Sequence, residues 1–343
     1  MKILFTADWH IGLTSNSRII DGQNTRFVEM REAIKSVTDY AIENSIGCVV
    51  IAGDVFHRSR PTNDEIFMAL MAVDELVSNN IKVIILDGNH DAPAQKALIS
   101  PVQLLAHAGA QVHVAGEMCA VNCGPTQLLL TPYPRTFAEW EDPKQENDYR
   151  IAVGHTTLDG AVSGAEKFLL SRFCHVEKHP KWTTICGHIH TPQILRKQEQ
   201  GLVAYPGSLL QNDIGERGQK KGFLVWDPER NHWGFNRTKH RELVRLTLDE
   251  YGKVDQDTVK DKIVQVYDQS ESIVDIQEIE SKLYSLGAHY AWADIKIHHE
   301  IKARCEQMDA AVGLNELFDQ YSKIADLNQE EIAIGMEIIE SLS

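Results

Sequence analysis

Two short segments, CVVIA at 48–52 and KVIIL at 82–86, place apolar, mostly β-branched side chains at consecutive positions, the second after its opening lysine. A strand with one wet face alternates apolar and polar residues; a strand covered on both faces need not. These runs therefore predict strands buried on both sides. Helical patterns surround them. Phe27, Met30, Ile34, Val37 and Ala41 recur at helical spacing over residues 25–44. Thr62 and Glu65 form a capping box that opens a helix through Ile66, Leu70, Val73 and Val77. Residues 3–6, 151–153 and 183–186 read as further strands, and 95–108 as a helix interrupted near Pro101. Residues 222–226 and 233–236 flank a turn-rich stretch and predict a hairpin. Strands alternating with helices predict an α/β protein.

The pattern changes after about residue 240. Residues 243–248 and 293–301 alternate as strands, and 257–267 and 276–286 read as helices, which suits a small α+β unit. From Leu314 onward two amphipathic helices are expected. The first carries Leu317, Phe318, Tyr321 and Ile324; the second opens at Asn328, with Glu331 as its cap partner. Short terminal helices bury little by themselves and need a body or a partner to pack on.

Charge divides along the same line. The 343 residues carry a net charge of −15, of which −12 lies beyond residue 240. Such a chain is no general polyanion binder; DNA would need a local basic patch or a partner. No apolar run approaches the roughly 18 residues of a membrane helix. The start lacks the pattern of a secretory leader. The six cysteines form no C-x-x-C pair, so reduced thiols and a cytoplasmic location without membrane contact are expected.

The unusual residues follow predicted strands. They are Asp8-Trp9-His10, Gly53-Asp54-x-Phe56-His57, Gly88-Asn89-His90-Asp91, Gly154-His155 and Gly187-His188-Ile189-His190. In α/β sheets, groups beyond the carboxyl ends of strands converge on one crevice. Asp8 and His10 stand two apart, so an extended backbone would point both one way, and His188 and His190 repeat the spacing. Two carboxylates, one carboxamide and several imidazoles without a thiolate favour Mn, Fe or Zn over Ca. Seven candidate ligands (Asp8, His10, Asp54, Asn89, His155, His188 and His190) are too many for one open catalytic metal. They suit two metals roughly 3.5–4 Å apart, with Asp54 as the bridge. His90 is expected to protonate a leaving oxygen or stabilise the transition state, with Asp91 orienting its ring. His57 could face the phosphate or the metals. Trp9 is expected to pack the floor of the site, Cys119 and Cys123 to be free thiols, and His298-His299 to be structural.

These five motifs, in this order, resemble the calcineurin-like metallophosphoesterase superfamily. The Gly-Asp-x-Phe-His form, Ser100-Pro101-x-Gln103-Leu104-Leu105, Tyr205-Pro206-Gly207-Ser208 and Asp213-x-Gly215-Glu216 narrow the resemblance to the SbcD nuclease family. Protein phosphatases of the superfamily usually show Asp-Arg where this chain has Phe56-His57. The resemblance implies a layered α/β/β/α sandwich over residues 1–240, a small α+β capping domain over 241–303, and C-terminal helices over 304–343 that bind an ATPase. It implies one metal on Asp8, His10, Asp54 and His190 and another on Asp54, Asn89, His155 and His188. His90 would assist catalysis and His57 would lie near the scissile phosphate. The usual activating ion is Mn2+, with Mg2+ a possible substitute. The family's members cut duplex DNA as 3′→5′ exonucleases and single strands as endonucleases. They form homodimers within a heterotetramer with an SMC-like ATPase of the SbcC type.

The reading is a manganese-dependent DNA nuclease that cleaves phosphodiesters with a hydroxide activated by two metals, within a recombination or repair complex. Its rivals are a phosphodiesterase for small molecules or cyclic nucleotides, and a scaffold that keeps the fold without catalysis. Arg18, Arg26, Arg58, Arg60, Lys220 and Lys221 lie near motifs and are candidates for phosphate contact.

Overall fold

The apolar runs become strands whose neighbours cover both faces. In this computed structural model the described residues are 1–93, 98–139, 149–164, 183–198, 201–272, 275–297, 318–319, 321–323 and 327–341. In chain order, β1 (Lys2–Thr6) is followed by the small hairpin β2 (Ile19–Ile20) and β3 (Gln23–Asn24), then α1 (Thr25–Glu43), β4 (Ile46–Ile51), α2 (Asn63–Ser78) and β5 (Lys82–Leu86). Next come β6 (Val112–Ala115), β7 (Cys119–Cys123), β8 (Thr126–Thr131), β9 (Tyr149–His155), β10 (Thr183–Gly187), β11 (Gln193–Gln198) and β12 (Gly201–Tyr205). The hairpin β13 (Gly222–Asp227) and β14 (His232–Arg237) then leads to β15 (Leu243–Leu246), α3 (Leu248–Gly252), α4 (Gln256–Val259), β16 (Ile263–Ser272), α5 (Ile276–Ser285) and β17 (Tyr290–Ile297).

Two six-stranded sheets form, in the orders β14-β13-β1-β4-β5-β6 and β11-β12-β10-β9-β8-β7. Their centres are parallel: β1 with β4, β4 with β5, and β9 with β8 and β10. Alternation sorts each strand between two cores. Ile3 and Phe5 of β1, Cys48 and Val50 of β4, and Ile84 and Leu86 of β5 point between the sheets, against Leu128, Leu130, Ile151, Val153 and Ile185. Leu4, Val49, Ile51, Val83 and Ile85 point the other way, onto Met30, Ile34 and Val37 of α1 and Ala69, Val73 and Leu76 of α2. The outer face of the second sheet packs Ala152, Cys186 and Val203 against Phe137, Leu158 and Ala161. The protein thus has the expected mixed α/β architecture, and among the described residues no helix is long and apolar enough to cross a membrane. Phe5 is fully buried between the sheets and lies 5.6 Å from the Trp233 ring. Phe5→Ala is expected to cost about 3–5 kcal/mol of stability, read from the urea midpoint; a loss within about 1 kcal/mol would mean the sheets do not share this core.

The expected capping box holds at the start of α2, and α1 has a side-chain cap as well. Asn24 caps α1 by accepting from the amides of Arg26 and Phe27, and Thr62 and Glu65 close the capping box of α2. Two expectations need correction. Residues 101–108 form a 3-10 helix that starts at Pro101, after the Ser100 hydroxyl caps it; of the residues expected to be helical, 95–97 lie outside the described set. The helix expected over 257–267 ends at Val259, and Ile263, Val264 and Val266 form β16 beside β15. The β-branched run outweighs the helical spacing there.

By contact density the chain divides into two units, 1–269 with 275–295, and 270–274 with 296–343. In the first, Arg241 pairs with Glu29 of α1, and the His289 ring meets the Thr25 hydroxyl at 2.9 Å. In the second, the helix Gln329–Ser341 opens as expected, with reciprocal bonds between Asn328 and Glu331. The helix expected from Leu314 lies mostly outside the described residues, as do His298-His299, Cys174 and Cys305.

Candidate metal centre

The carboxyl ends of β1, β4, β5, β9 and β10 meet at one edge of the sandwich, and the chain turns sharply at each. Asp8, His10, Asp54 and His188 all sit at positive φ, between 46° and 89°. The extended backbone expected across Asp8-Trp9-His10 is therefore replaced by left-handed residues. The reason lies in the neighbouring turn: the amides of Asp8 and His10 donate to the carbonyls of Gly53 and Asp54. Trp9 packs below, fully buried, with its Nε1 on the Thr6 hydroxyl. Non-glycine residues at positive φ cost on the order of 1–3 kcal/mol each and collect where surrounding structure over-determines them. Gly88 is required for a different reason: a Cβ there would collide with the Asp54 carboxylate.

Within this edge the donors converge. Nε2 of His10 faces Nε2 of His190 at 2.8 Å. Nε2 of His155 and Nδ1 of His188 both face Oδ1 of Asn89, at 2.9 and 2.8 Å. Asp54 Oδ2 lies between the two groups, 3.7 Å from His10 Nε2 and 3.3 Å from His155 Nε2. Its other oxygen accepts the His90 amide at 2.9 Å. Asp8 accepts the His188 amide with Oδ1, while its Oδ2 is buried with no hydrogen-bond partner. The ligand atoms of Asp8, His10 and His190 lie within 4.8 Å of one another, as do those of Asp8, Asp54 and His155.

The donors that face inward are fixed from behind. His155 Nδ1 lies 2.8 Å from the Ala52 carbonyl, which leaves its Nε2 for the centre. His190 Nδ1 lies 2.8 Å from Glu216 Oε1. Burial lowers His155, but the Asp54 charge and hydrogen bond outweigh it and hold the ring up at about 9. Burial and the His155 charge push His188 down to about 4. Burial raises the Asp8 carboxyl. Inward-facing ring nitrogens, a bridging carboxylate and an unsatisfied buried carboxylate oxygen fit divalent cations with mixed N/O ligation.

His90 and His57 form the rim. Their rings stack 5.4 Å apart, and His90 Nδ1 meets the His57 carbonyl at 2.8 Å. The His57 ring offers a third cluster with His10 and His90. Asp91 does not take the place expected for it. Its carboxylate is fully buried and accepts the amides of Val55, Phe56 and Gly88, so it braces two loops, while the His57 carbonyl holds the His90 ring. Burial and the Asp54 charge push Asp91 up to about 7, against those three amides. Arg26 and Lys221 are buried in ion pairs and cannot meet a phosphate; Arg18, Arg58, Arg60 and Lys220 are not buried. The sequence reading misses Glu216 as part of the site, although its motif stands out.

Known proteins resemble this chain in sequence. The chain is 25% identical over 261 residues to the SbcD subunit of the nuclease SbcCD from Staphylococcus saprophyticus, covering 66% of this chain and 65% of that one. It is 23% identical over 263 residues to the protein of the same name from Staphylococcus epidermidis, covering 67% of each. It is 23% identical over 227 residues to the DNA double-strand break repair protein Mre11 of Methanopyrus kandleri, covering 61% of this chain and 48% of that one. The chain therefore spans about two thirds of the two staphylococcal relatives and about half of the archaeal one. The sequence model of the calcineurin-like phosphoesterases matches residues 1–192, a stretch that contains every inward-facing donor described above, and the chain belongs to that family.

Proposed function

We propose that this chain is the metal-dependent DNA nuclease subunit of an ATP-dependent recombination or repair complex in the cytoplasm. The observation that carries the reading is the position of Asp54 Oδ2 between two convergent donor groups. Asp8, His10, Asp54 and His190 would hold one ion, and Asp54, Asn89, His155 and His188 the other. Mn2+ is the proposed ion, with Mg2+ as a substitute. When bound, the pair supplies an activated water and neutralises charge on the phosphoryl oxygens.

The chain's own residues do the rest. Asp54 holds both positions in register because the His90 amide fixes its second oxygen. The His57 carbonyl holds His90 by Nδ1, so Nε2 is the ring nitrogen left to hold or release a proton at the leaving oxygen. His57, stacked on that ring, would line the path of the scissile phosphate. The substrates would be duplex DNA cut 3′→5′ and single strands cut internally.

The partner would be an SMC-like ATPase of the SbcC type, bound by helices of the segment 304–343. The segments 1–240 and 241–303 would act as nuclease and capping domains. A homodimer within a heterotetramer would use α1 and α2. Between these helices runs a cleft of about 820 Å3 lined by Phe27, Ile34 and Met68 and by the exposed Phe67 and Met71.

The test uses end-labelled duplex DNA, circular single-stranded DNA and a chromogenic phosphodiester, each with Mn2+ and with Mg2+. His90→Gln is expected to lower DNA cutting by about 10²–10⁴-fold while manganese stays bound. Loss of both ions in that variant would overturn the division of roles. Hydrolysis of the chromogenic diester with both DNAs untouched, even beside the ATPase, would favour an enzyme for small phosphodiesters.

A further inference from the structure

Beyond β12 the chain doubles back beneath the His190 turn. Gly207 takes a φ of 75°, and the Ser208 amide reaches the His190 carbonyl at 3.2 Å. Asp213 then opens a one-turn 3-10 helix by accepting the Gly215 amide at 2.7 Å. That turn delivers the Glu216 carboxylate, 2% exposed, to the back of His190. Oε1 lies 2.8 Å from His190 Nδ1; Oε2 accepts the Asn212 amide at 3.0 Å and pairs with Lys221 Nζ at 2.6 Å.

Lys221 is fully buried. Its ammonium has three donors and meets three acceptors: Glu216 Oε2, Gln219 Oε1 at 2.9 Å and the His190 carbonyl at 2.9 Å. One buried ion pair therefore grips His190 twice, at the ring and at the main chain. A buried pair is a poor source of stability, because desolvation offsets most of its attraction. A positioning role accounts for it better. A carboxylate on Nδ1 keeps the proton there and aims the Nε2 lone pair inward, where it faces His10.

We infer that Glu216 and Lys221 are positioning residues that set the tautomer and orientation of His190 for one of the two cations. The inference rests on the proposed reading of His190 as a ligand. It also explains the turn that carries Asp213-x-Gly215-Glu216, which returns a carboxylate 26 positions further along the chain to the ring.

The test measures Mn2+ binding to the metal-free full chain by calorimetry and by the electron paramagnetic resonance of free Mn2+. The variants are Glu216→Gln, His190→Ala, the two combined, and Glu216→Gln with Lys221→Met. The last removes the orphaned ammonium and guards against simple unfolding. Thermal unfolding without metal is recorded for each. Glu216→Gln, alone or with Lys221→Met, is expected to weaken one manganese position by about 10- to 100-fold and leave the other unchanged. In the His190→Ala background it is expected to add no further loss. Equal weakening of both positions, or a full additional loss in the His190→Ala background, would overturn the inference. Unchanged manganese binding in His190→Ala would instead overturn the ligand reading on which it rests.

Discussion

Asp54→Asn is expected to abolish metal binding and phosphodiester hydrolysis together. Asp54 is almost fully buried, and its Oδ2 stands 3.3 Å from His155 Nε2 and 3.7 Å from His10 Nε2. The carboxylate cannot swing away, because the His90 amide holds Oδ1 at 2.9 Å. An asparagine has one acceptor oxygen to serve both sides. Turned inward, that oxygen leaves an NH2 against the His90 N–H. Turned outward, it leaves an NH2 where the two proposed cations would require a negative oxygen. Either orientation removes the one charge that both positions would share. Turnover of a chromogenic diester should fall by on the order of 10³-fold or more. Metal analysis after gel filtration should find neither ion retained. A variant that keeps two manganese ions per chain would sink the bridging role.

The second large effect is expected away from the reacting groups. Asp91→Ala removes the acceptor of three buried amides, those of Val55, Phe56 and Gly88. An unsatisfied buried donor costs about 1–3 kcal/mol, and partial relaxation should bring the total to about 3–5 kcal/mol. The urea midpoint of the metal-free protein would report it. The loss has a pH signature. The folded-state pKa of about 7 lies above the ordinary carboxylate value of 3.8, so this group's contribution is full below about pH 4. It shrinks as pH rises towards 7, and the gap between wild type and variant should narrow over that window. A gap that widens with pH would contradict the sign. Metal affinity should fall as well, since the two braced loops carry Asp54 and Asn89. Unchanged stability would mean that the two turns hold each other without Asp91.

Much of the architecture is readable from local patterns. The runs at 48–52 and 83–86 are apolar throughout because their strands are covered on both faces. Thr62 announces α2 because capping is a contact over two or three residues. Strands β6, β7, β8, β11 and β12 are much less visible. Edge strand β7, CAVNC, has exposed positions and little apolar alternation, and only pairing with β8 makes it a strand. The tract at 263–266 fits a helix by spacing and becomes β16 because β15 offers a parallel edge.

The candidate ligands stand where strands end, and that placement follows from residue order alone: glycines, carboxylates and imidazoles directly after apolar runs. Their types also point to mixed N/O metal ligation, since no thiolate is among these candidates and both carboxylates accompany histidines. What needed the tertiary structure is which atom faces which. Asp91 stands beside His90 in the chain, yet its carboxylate turns to Val55, Phe56 and Gly88, and a carbonyl from another loop holds the ring. Glu216 is distant in the chain from His10, yet it sets the ring that faces His10. Strand ends follow from short-range patterning, which every segment carries within itself. Tautomers, carboxylate orientations and shared oxygens depend on contacts between segments far apart in the chain, and only the packed sandwich brings those together.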